Sequence, residues 1–219
     1  VGVGASLFTL IMWVLAQTKS AISAIVSEAV GANNLKSLKS FIPQALIMNF
    51  ILGASVMIFA LLLSVPIFKL YNAQGDLLNV ANSYFHIRAF GLPIGLLVFG
   101  IFGVFRGLQN TSWAMIISFV GATVNVVLDI ILVFGIEGIV PSFGVEGAAW
   151  ASVVSQFIML ALAVRYLYKK TDFQLIQIVK IHPKIKSLLK MSFDLFIRAI
   201  ALNIAFYAGT SLATSLSDE

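Results

Sequence analysis

Asp129 is the acidic side chain set deep inside a long apolar run, and Asn125 stands four residues before it. On an α-helix that spacing puts both on one face, one turn apart. An ionisable residue in hydrocarbon costs about 2.5–3.5 kcal/mol even on a lenient insertion scale. The chemistry it suggests is a carboxyl that binds and releases a proton or a sodium ion, with the amide oxygen of Asn125 as a neutral second ligand. The structural alternative is a protonated Asp129 hydrogen-bonded to a neighbouring helix. Ser152 and Gln156 repeat the spacing in the next run, with Ser155 beside them and the small residues Gly147-Ala148-Ala149 just before, which permit close helix approach. Back-bonding to their own helix explains each serine equally well, whereas Gln156 has no such local partner.

The basic candidates are Lys19, near the middle of the first apolar run, and Arg198, about one and a half turns into the last. Snorkelling toward the surface accounts for Arg198; Lys19 is deep enough for a salt bridge or a substrate contact in a cavity. Asn203 and Tyr207 form another polar face at the same spacing, extended by Thr210 and Thr214, suited to lining a cavity or to hydrogen bonds between helices. Pro93, within Phe90-Gly91-Leu92-Pro93-Ile94-Gly95, removes an internal hydrogen bond and predicts a kink and hinge. His86 and Arg88, with Tyr84, are placed by sequence position at the outer end of this run, as interface anchors.

Enzymatic hydrolysis would need a nucleophile with its base, a carboxylate pair or a metal-ligand cluster. The chain has no cysteine and two histidines, and neither histidine lies near Asp129. No enzyme activity and no cofactor are expected; H+ or Na+ is the expected coupling ion.

These side chains must be held by membrane-spanning helices. Of 219 residues 60% are hydrophobic and 11% charged, and the mean hydropathy is +1.01. Such a composition excludes a soluble globule, and the absence of alternating apolar and polar residues excludes a barrel. Six spans of about 20 residues are predicted at roughly 3–28, 44–66, 82–105, 114–135, 147–168 and 192–216. Basic residues cluster on alternate connections: Lys36, Lys39, Arg106, Arg165, Lys169, Lys170, Lys180, Lys184, Lys186 and Lys190 share one side, Lys69 and Arg88 the other. By the positive-inside rule the first side is cytoplasmic. The net charge of +5 therefore reflects topology and not nucleic-acid binding. The segment 169–183 is too polar to cross and has the pattern of an interfacial linker. Val1 in place of Met, with no basic region before the first span, leads us to expect a fragment.

Several stretches carry a resemblance. Ser27-Glu28-Ala29-Val30-Gly31-Ala32-Asn33, Phe105-Arg106-Gly107-Leu108-Gln109-Asn110-Thr111, the Asn125/Asp129 helix and Gly144-Val145-Glu146-Gly147-Ala148-Ala149-Trp150-Ala151-Ser152 together resemble the multidrug and toxic compound extrusion (MATE) family. The Asn-x-x-x-Asp pair and Arg198 are similar to its DinF-like branch. Asn110, where an acidic residue is usual, and Trp113, where proline is frequent, depart from the pattern.

The resemblance implies a twelve-helix transporter of two six-helix lobes, of which this chain supplies helices two to seven. The expected fold is thus an all-α integral membrane protein: 1–168 as the N-terminal lobe without its first helix, 169–191 as the cytoplasmic inter-lobe linker, and 192–219 as the first helix of the second lobe. It further implies Asn125, Asp129 and Ser152 as cation-coupling residues, Ser152 replacing a Thr. The implied activity is secondary antiport of small organic, cationic or amphipathic compounds against H+ or Na+ across the cell (inner or plasma) membrane. Its partners would be substrate, coupling cation, the lipid bilayer and the rest of the chain, including helix one, with no nucleic acid. A lipid-linked oligosaccharide flippase of the same superfamily, an intramembrane enzyme and a structural membrane subunit are the alternatives.

Overall fold

The computed structural model describes residues 2–170 and 181–217. Among them run eight helices: α1 (Gly2–Leu15), α2 (Gln17–Gly31), α3 (Leu35–Leu70), α4 (Gly75–Ala89), α5 (Gly91–Gly107), α6 (Ser112–Phe134), α7 (Gly144–Lys170) and α8 (Lys184–Ser217). Four stretches are long and apolar enough to cross a bilayer: Gly4–Gly31, which joins α1 and α2, together with Leu35–Leu70, Ser112–Phe134 and Gly144–Lys169. A fifth is the pair α4 and α5, bent by 42°. Among the described residues four such spans, or five with the bent pair, therefore stand where six were expected; α8, 34 residues long, is not one of them, its first turns being rich in lysine. The outward face of α6 carries Met115, Phe119, Val126, Ile130 and Phe134, all exposed. A helix apolar on its exposed side is one whose solvent is lipid.

The bend between α4 and α5 falls at Phe90, three residues before Pro93. Proline has no N–H to give the carbonyl four residues back, and its ring crowds that carbonyl. The ladder therefore fails at Ala89 and not at the proline itself.

Helix α5 is the centre of the bundle and is buried along nearly its whole length. It lies against α2, α3 and α7. The approach to α2 depends on missing side chains: a Cβ at Gly103 would sit 2.6 Å from the carbonyl oxygen of Lys19. Two apolar clusters result, one around Ile22, Phe41 and Phe105 near the basic end of the bundle, the other around Phe8, Phe68, Phe85 and Leu92 toward the opposite end. Between them Asn49 Nδ2 donates to the Leu96 carbonyl at 3.0 Å and to Thr18 Oγ1 at 3.4 Å, tying α3 to α5 and α2. All three helices are apolar there, so these partners satisfy the amide nitrogen, whereas Asn49 Oδ1 is buried without one.

The helix ends explain the short connections. Asn33, Asn72 and Gln109 have φ of 53°, 56° and 59°. After each, the next N–H reaches back to the helix: Asn34 to Ala29, Ala73 to Phe68 and Asn110 to Phe105, at 2.9–3.1 Å. These are Schellman ends, in which a left-handed residue lets orphan carbonyls be bonded. The α6–α7 connection instead forms a small hairpin through an antiparallel bridge between Ile136 and Val140.

Helix α8 starts at Lys184, eight residues before its predicted span. Ile185, Leu188 and Leu195 recur at helical spacing and pack on the basic-end cluster, with Leu188 fully buried, so the lysine-rich stretch is the first turns of an amphipathic helix. Its start is fastened to the beginning of the chain. Lys184 Nζ bonds both carboxylate oxygens of Glu28, at 2.7 and 2.9 Å, and the His182 backbone N–H donates to Gln44 Oε1 at 2.8 Å. The His182 ring meets Phe41 edge-on at 5.7 Å. Burial, and then the charge of Lys184, hold the His182 imidazole below its ordinary pKa. Most of the expected interfacial segment, residues 171–180, lies outside the described residues.

Candidate cation and substrate site

Helix α7 sets the register of the site. It runs parallel to α4, with Ser83 donating to Glu146 near one end and Gly91 against the Gln156 amide further in. It runs antiparallel to α6, with Gly147 against the Leu132 carbonyl and Asn125 Nδ2 donating to Ser152 Oγ at 3.4 Å. Asn125 and Ser152 thus meet across α6 and α7, 27 residues apart in sequence. The bond engages the amide nitrogen and leaves the amide oxygen for another role. Asp129 lies one turn beyond on α6, with Oδ1 buried and without a hydrogen-bond partner.

The charge that acts on Asp129 is Arg88 on α4. Since Ser83 and Gly91 mark the levels of Glu146 and Gln156, Arg88 falls at the level of Ser152. Its guanidinium lies 3.8 Å from the centre of the Phe8 ring on α1, and its Nε and Nη1 are buried without partners. Arg88 and Asp129 act on each other electrostatically, and Tyr84, one turn before Arg88, acts on the guanidinium as well. Arg88 is therefore not the interface anchor that its position suggested. The helix that carries it begins at Gly75 and not near residue 82, so Arg88 is 13 residues, about 20 Å, inside it. Tyr84 and Arg88 show the same four-residue spacing that singles out Asn125 and Asp129. His86 turns the other way, 3.0 Å from Ser64 on α3. Val126, Val127 and Ile130, the sequence neighbours of Asp129, face outward.

Gln156 continues this site inward. A Cβ on Gly91 would collide with its Oε1, which is buried and unpartnered, and its Nε2 lies over Gly95. The amide therefore occupies the space opened by the α4–α5 break, beside Pro93. Ser155, by contrast, bonds back to the Ser152 carbonyl at 2.8 Å, the local explanation expected for a helical serine.

The remaining candidates lie apart from this group, on the other side of α1. While Phe8 faces Arg88, Ala5, Ser6, Thr9 and Trp13 line a cavity of about 630 Å³ that also reaches Asn203. Asn203 Nδ2 donates to the Ala199 carbonyl at 2.8 Å, within its own helix. Arg198, exposed, lines a neighbouring cavity of about 330 Å³ with Gln17 and Ser20. The Lys19 ammonium sits 5.7 Å from the centre of the Phe99 ring. Tyr207 belongs to α8, but its side chain lies outside the described ones. Among the described residues no three His, Cys, Asp or Glu side chains come together as a metal cluster.

Comparison with known proteins agrees with this architecture. Protein DETOXIFICATION 42 of Arabidopsis thaliana is 28% identical over 199 residues, covering 90% of this chain and 36% of that protein. A probable multidrug resistance protein NorM of Thermotoga maritima is 26% identical, over 80% of this chain and 38% of its own length. The crystal structure of MATE in complex with MaD3S superposes with a TM-score of 0.87 at 23% identity, covering 98% of this chain and 48% of that one. The chain thus spans well under half the length of these curated relatives and about half of the solved chain. The family model MatE matches residues 1–131, more than half of the sequence, and this multi-pass membrane chain belongs to the MatE family.

Proposed function

We propose that this chain forms part of a secondary antiporter that exports small organic compounds, cationic or amphipathic, in exchange for H+ or Na+ across the cell membrane. The observation that carries it is the Asn125–Ser152 contact between α6 and α7, with the buried, unpartnered oxygen of Asp129 one turn away. An ionisable residue within a membrane span faces the bundle interior or pairs with another group, and so marks an ion or substrate pathway. A proton needs only the carboxyl. Sodium would take oxygen ligands from Asp129, Asn125 and Ser152, completed from outside this chain or by water.

Coupling requires that ion and substrate have different affinities in the two access states. Neutralising Asp129 changes what holds α6, α7 and α4 together, since Arg88 then loses its opposing charge. The break at Phe90, next to Gly91 and Gln156, is where α4 can tilt relative to α5, with Pro93 as the hinge. Lys19, Arg198 and Asn203 are the candidates for the path on the α8 side, with Tyr207 of the same helix as a further candidate. The rest of the chain, helix one and the second lobe, completes the cavity.

The test uses the full-length protein in vesicles loaded with a fluorescent cationic dye under imposed pH or sodium gradients. Efflux that follows one of the two gradients supports the proposal and names the ion; efflux indifferent to both overturns it.

A further inference from the structure

Helix α8 runs antiparallel to α1 and α2, and one seam lies between them. At its basic end Glu28 on α2 is bonded to Lys184 at the start of α8. Further in, Gln17 and Ser20 line the cavity of about 330 Å³ with Arg198, and further still Thr9 lines the cavity of about 630 Å³ with Asn203. Trp13 borders both cavities. Arg198 and Asn203 lie 14 and 19 residues beyond Lys184, about 21 and 28 Å along the helix. The contacts at Lys184 therefore close the end of a seam whose two cavities lie deeper, and by the positive-inside rule that end is the cytoplasmic one.

The closure hangs on one imidazole. The Lys184 backbone N–H donates to His182 Nδ1 at 3.2 Å. A backbone N–H is always a donor, so Nδ1 carries a lone pair and the ring is neutral. His182 thus caps α8 as an Asn or Asp oxygen caps other helices. The cap is pinned on both sides, since the Ile185 N–H reaches the His182 carbonyl at 2.9 Å and the His182 N–H reaches Gln44 Oε1 at 2.8 Å. A proton on Nδ1 sets donor against donor and adds a positive charge at the positive end of the helix dipole, beside Lys184. Of the described groups around the ring, α8 presents Lys184, α2 presents Glu28, and α3 presents the uncharged Ser37, Phe41 and Gln44. Lys36, Lys39 and Lys186 are exposed. Glu28 already holds Lys184 with both oxygens, so an imidazolium that turns to it competes with the fastening. Both responses to protonation weaken the closure.

Resting on the transport proposal above, we infer that the His182 cap and the Lys184–Glu28 fastening form a proton-operated gate at the cytoplasmic end of the seam, closed while His182 is neutral and released when the cytoplasmic side acidifies. This proton is separate from the coupling ion at Asp129. It biases which access state is populated and takes no part in the exchange itself. Burial and Lys184 hold the ring below its ordinary pKa. Closure is therefore complete above about pH 6.5 and is lost as the pH falls through the depressed folded value.

The test places nitroxide pairs on the full-length protein in nanodiscs, in a background otherwise free of cysteine. Their distances are read by double electron–electron resonance from about pH 8 down to about pH 5, above the ordinary carboxyl values. One pair spans the gate, Gly31→Cys with Lys186→Cys, both exposed and with open space at Gly31. The second lies further along α2 and α8, Ala24→Cys with Lys190→Cys, both exposed. In the wild type the population of a longer distance should rise about threefold at both pairs, the weight of a modest helix cap. His182→Asn puts an oxygen in the place of Nδ1 and cannot titrate, so its distances should stay short throughout. His182→Ala, without a cap, should show the longer distance at every pH, and Asp129→Asn should leave the response in place. Wild-type distances indifferent to pH, a response that persists in His182→Asn, or one that vanishes in Asp129→Asn would overturn the gate. Lengthening at the first pair alone would mean that the first turn of α8 frays where it stands, and overturns it as well. Should His182→Ala not fold, the wild type and His182→Asn decide the matter. The distances are read without substrate or gradient, so loss of the pH response leaves the antiporter standing, while efflux indifferent to both gradients removes the transport reading whatever the distances do.

Discussion

The two ends of the bundle treat charge in opposite ways. At the basic end Lys184 and Glu28 are well exposed, 42% and 61%, and fully bonded to each other. Within the bundle Arg88 and Asp129 are half-buried, and each keeps buried polar atoms without a partner, Nε and Nη1 on Arg88 and Oδ1 on Asp129. An exposed pair in water contributes little, about 0–1 kcal/mol, and costs little to break. A buried charge without a matched partner is expensive to keep. The first pair is a fastening between the start of α8 and the end of α2; the second two residues leave buried polar atoms open at the candidate site.

That contrast is tested most severely by Asp129→Asn, which keeps shape and hydrogen bonding but cannot change charge. Gradient-driven efflux by the full-length variant should fall to the level of protein-free vesicles, with the protein still folded and inserted. Wild-type-like exchange would remove Asp129 from the coupling role. Next in size is Gly103→Leu, which forces a side chain between α5 and the α2 backbone; overpacking of this kind costs about 1–3 kcal/mol and should appear as a lower unfolding temperature. Asn125→Ala and Ser152→Ala each remove one side of a 3.4 Å hydrogen bond. We expect each to weaken cation affinity severalfold, in line with the roughly 0.5–1.5 kcal/mol that such bonds contribute.

At the basic end the effects should be smaller. Glu28→Gln should change stability by no more than about 1 kcal/mol, and a double-mutant cycle with Lys184→Gln should place the coupling in the same range. A loss of several kcal/mol would mean that the fastening is as important as the site. Smallest of all is the pH effect at His182. Its folded pKa is lowered by burial and by Lys184, so its packing on Phe41 is fully present above the ordinary histidine value of about 6.5. It weakens as the pH falls through the depressed folded value. Hydrogen exchange at the start of α8 should accelerate in that window, and His182→Gln should abolish the change.

The apolar helices and the polar spacings Asn125/Asp129 and Ser152/Gln156 were legible in the amino-acid sequence because they rest on local periodicity, whereas the grouping of Ser152 with Asn125, 27 residues away on another helix, came from the family resemblance. The three Schellman ends were legible as polar punctuation at 33–40, 72–76 and 107–112. Arg88 was misplaced because its depth depends on where α4 begins, and Gly75–Ala89 has too mixed a composition to announce a helix start. The Thr18–Asn49–Leu96 knot went unnoticed because a lone Asn49 in a 36-residue apolar helix has no partner at helical spacing. Its partners come from other helices. The Glu28–Lys184 pair, 156 residues apart, lies beyond any local rule.

The tight helix ends carry a mechanical consequence. Only three residues separate α2 from α3, and four each separate α3 from α4 and α5 from α6. Strands of rope knotted at alternate ends can swing but cannot slide, and helices joined this way cannot slip past one another by a full 5.4 Å turn. Movement within α1–α6 must then be pivoting, with helices rocking about their knots.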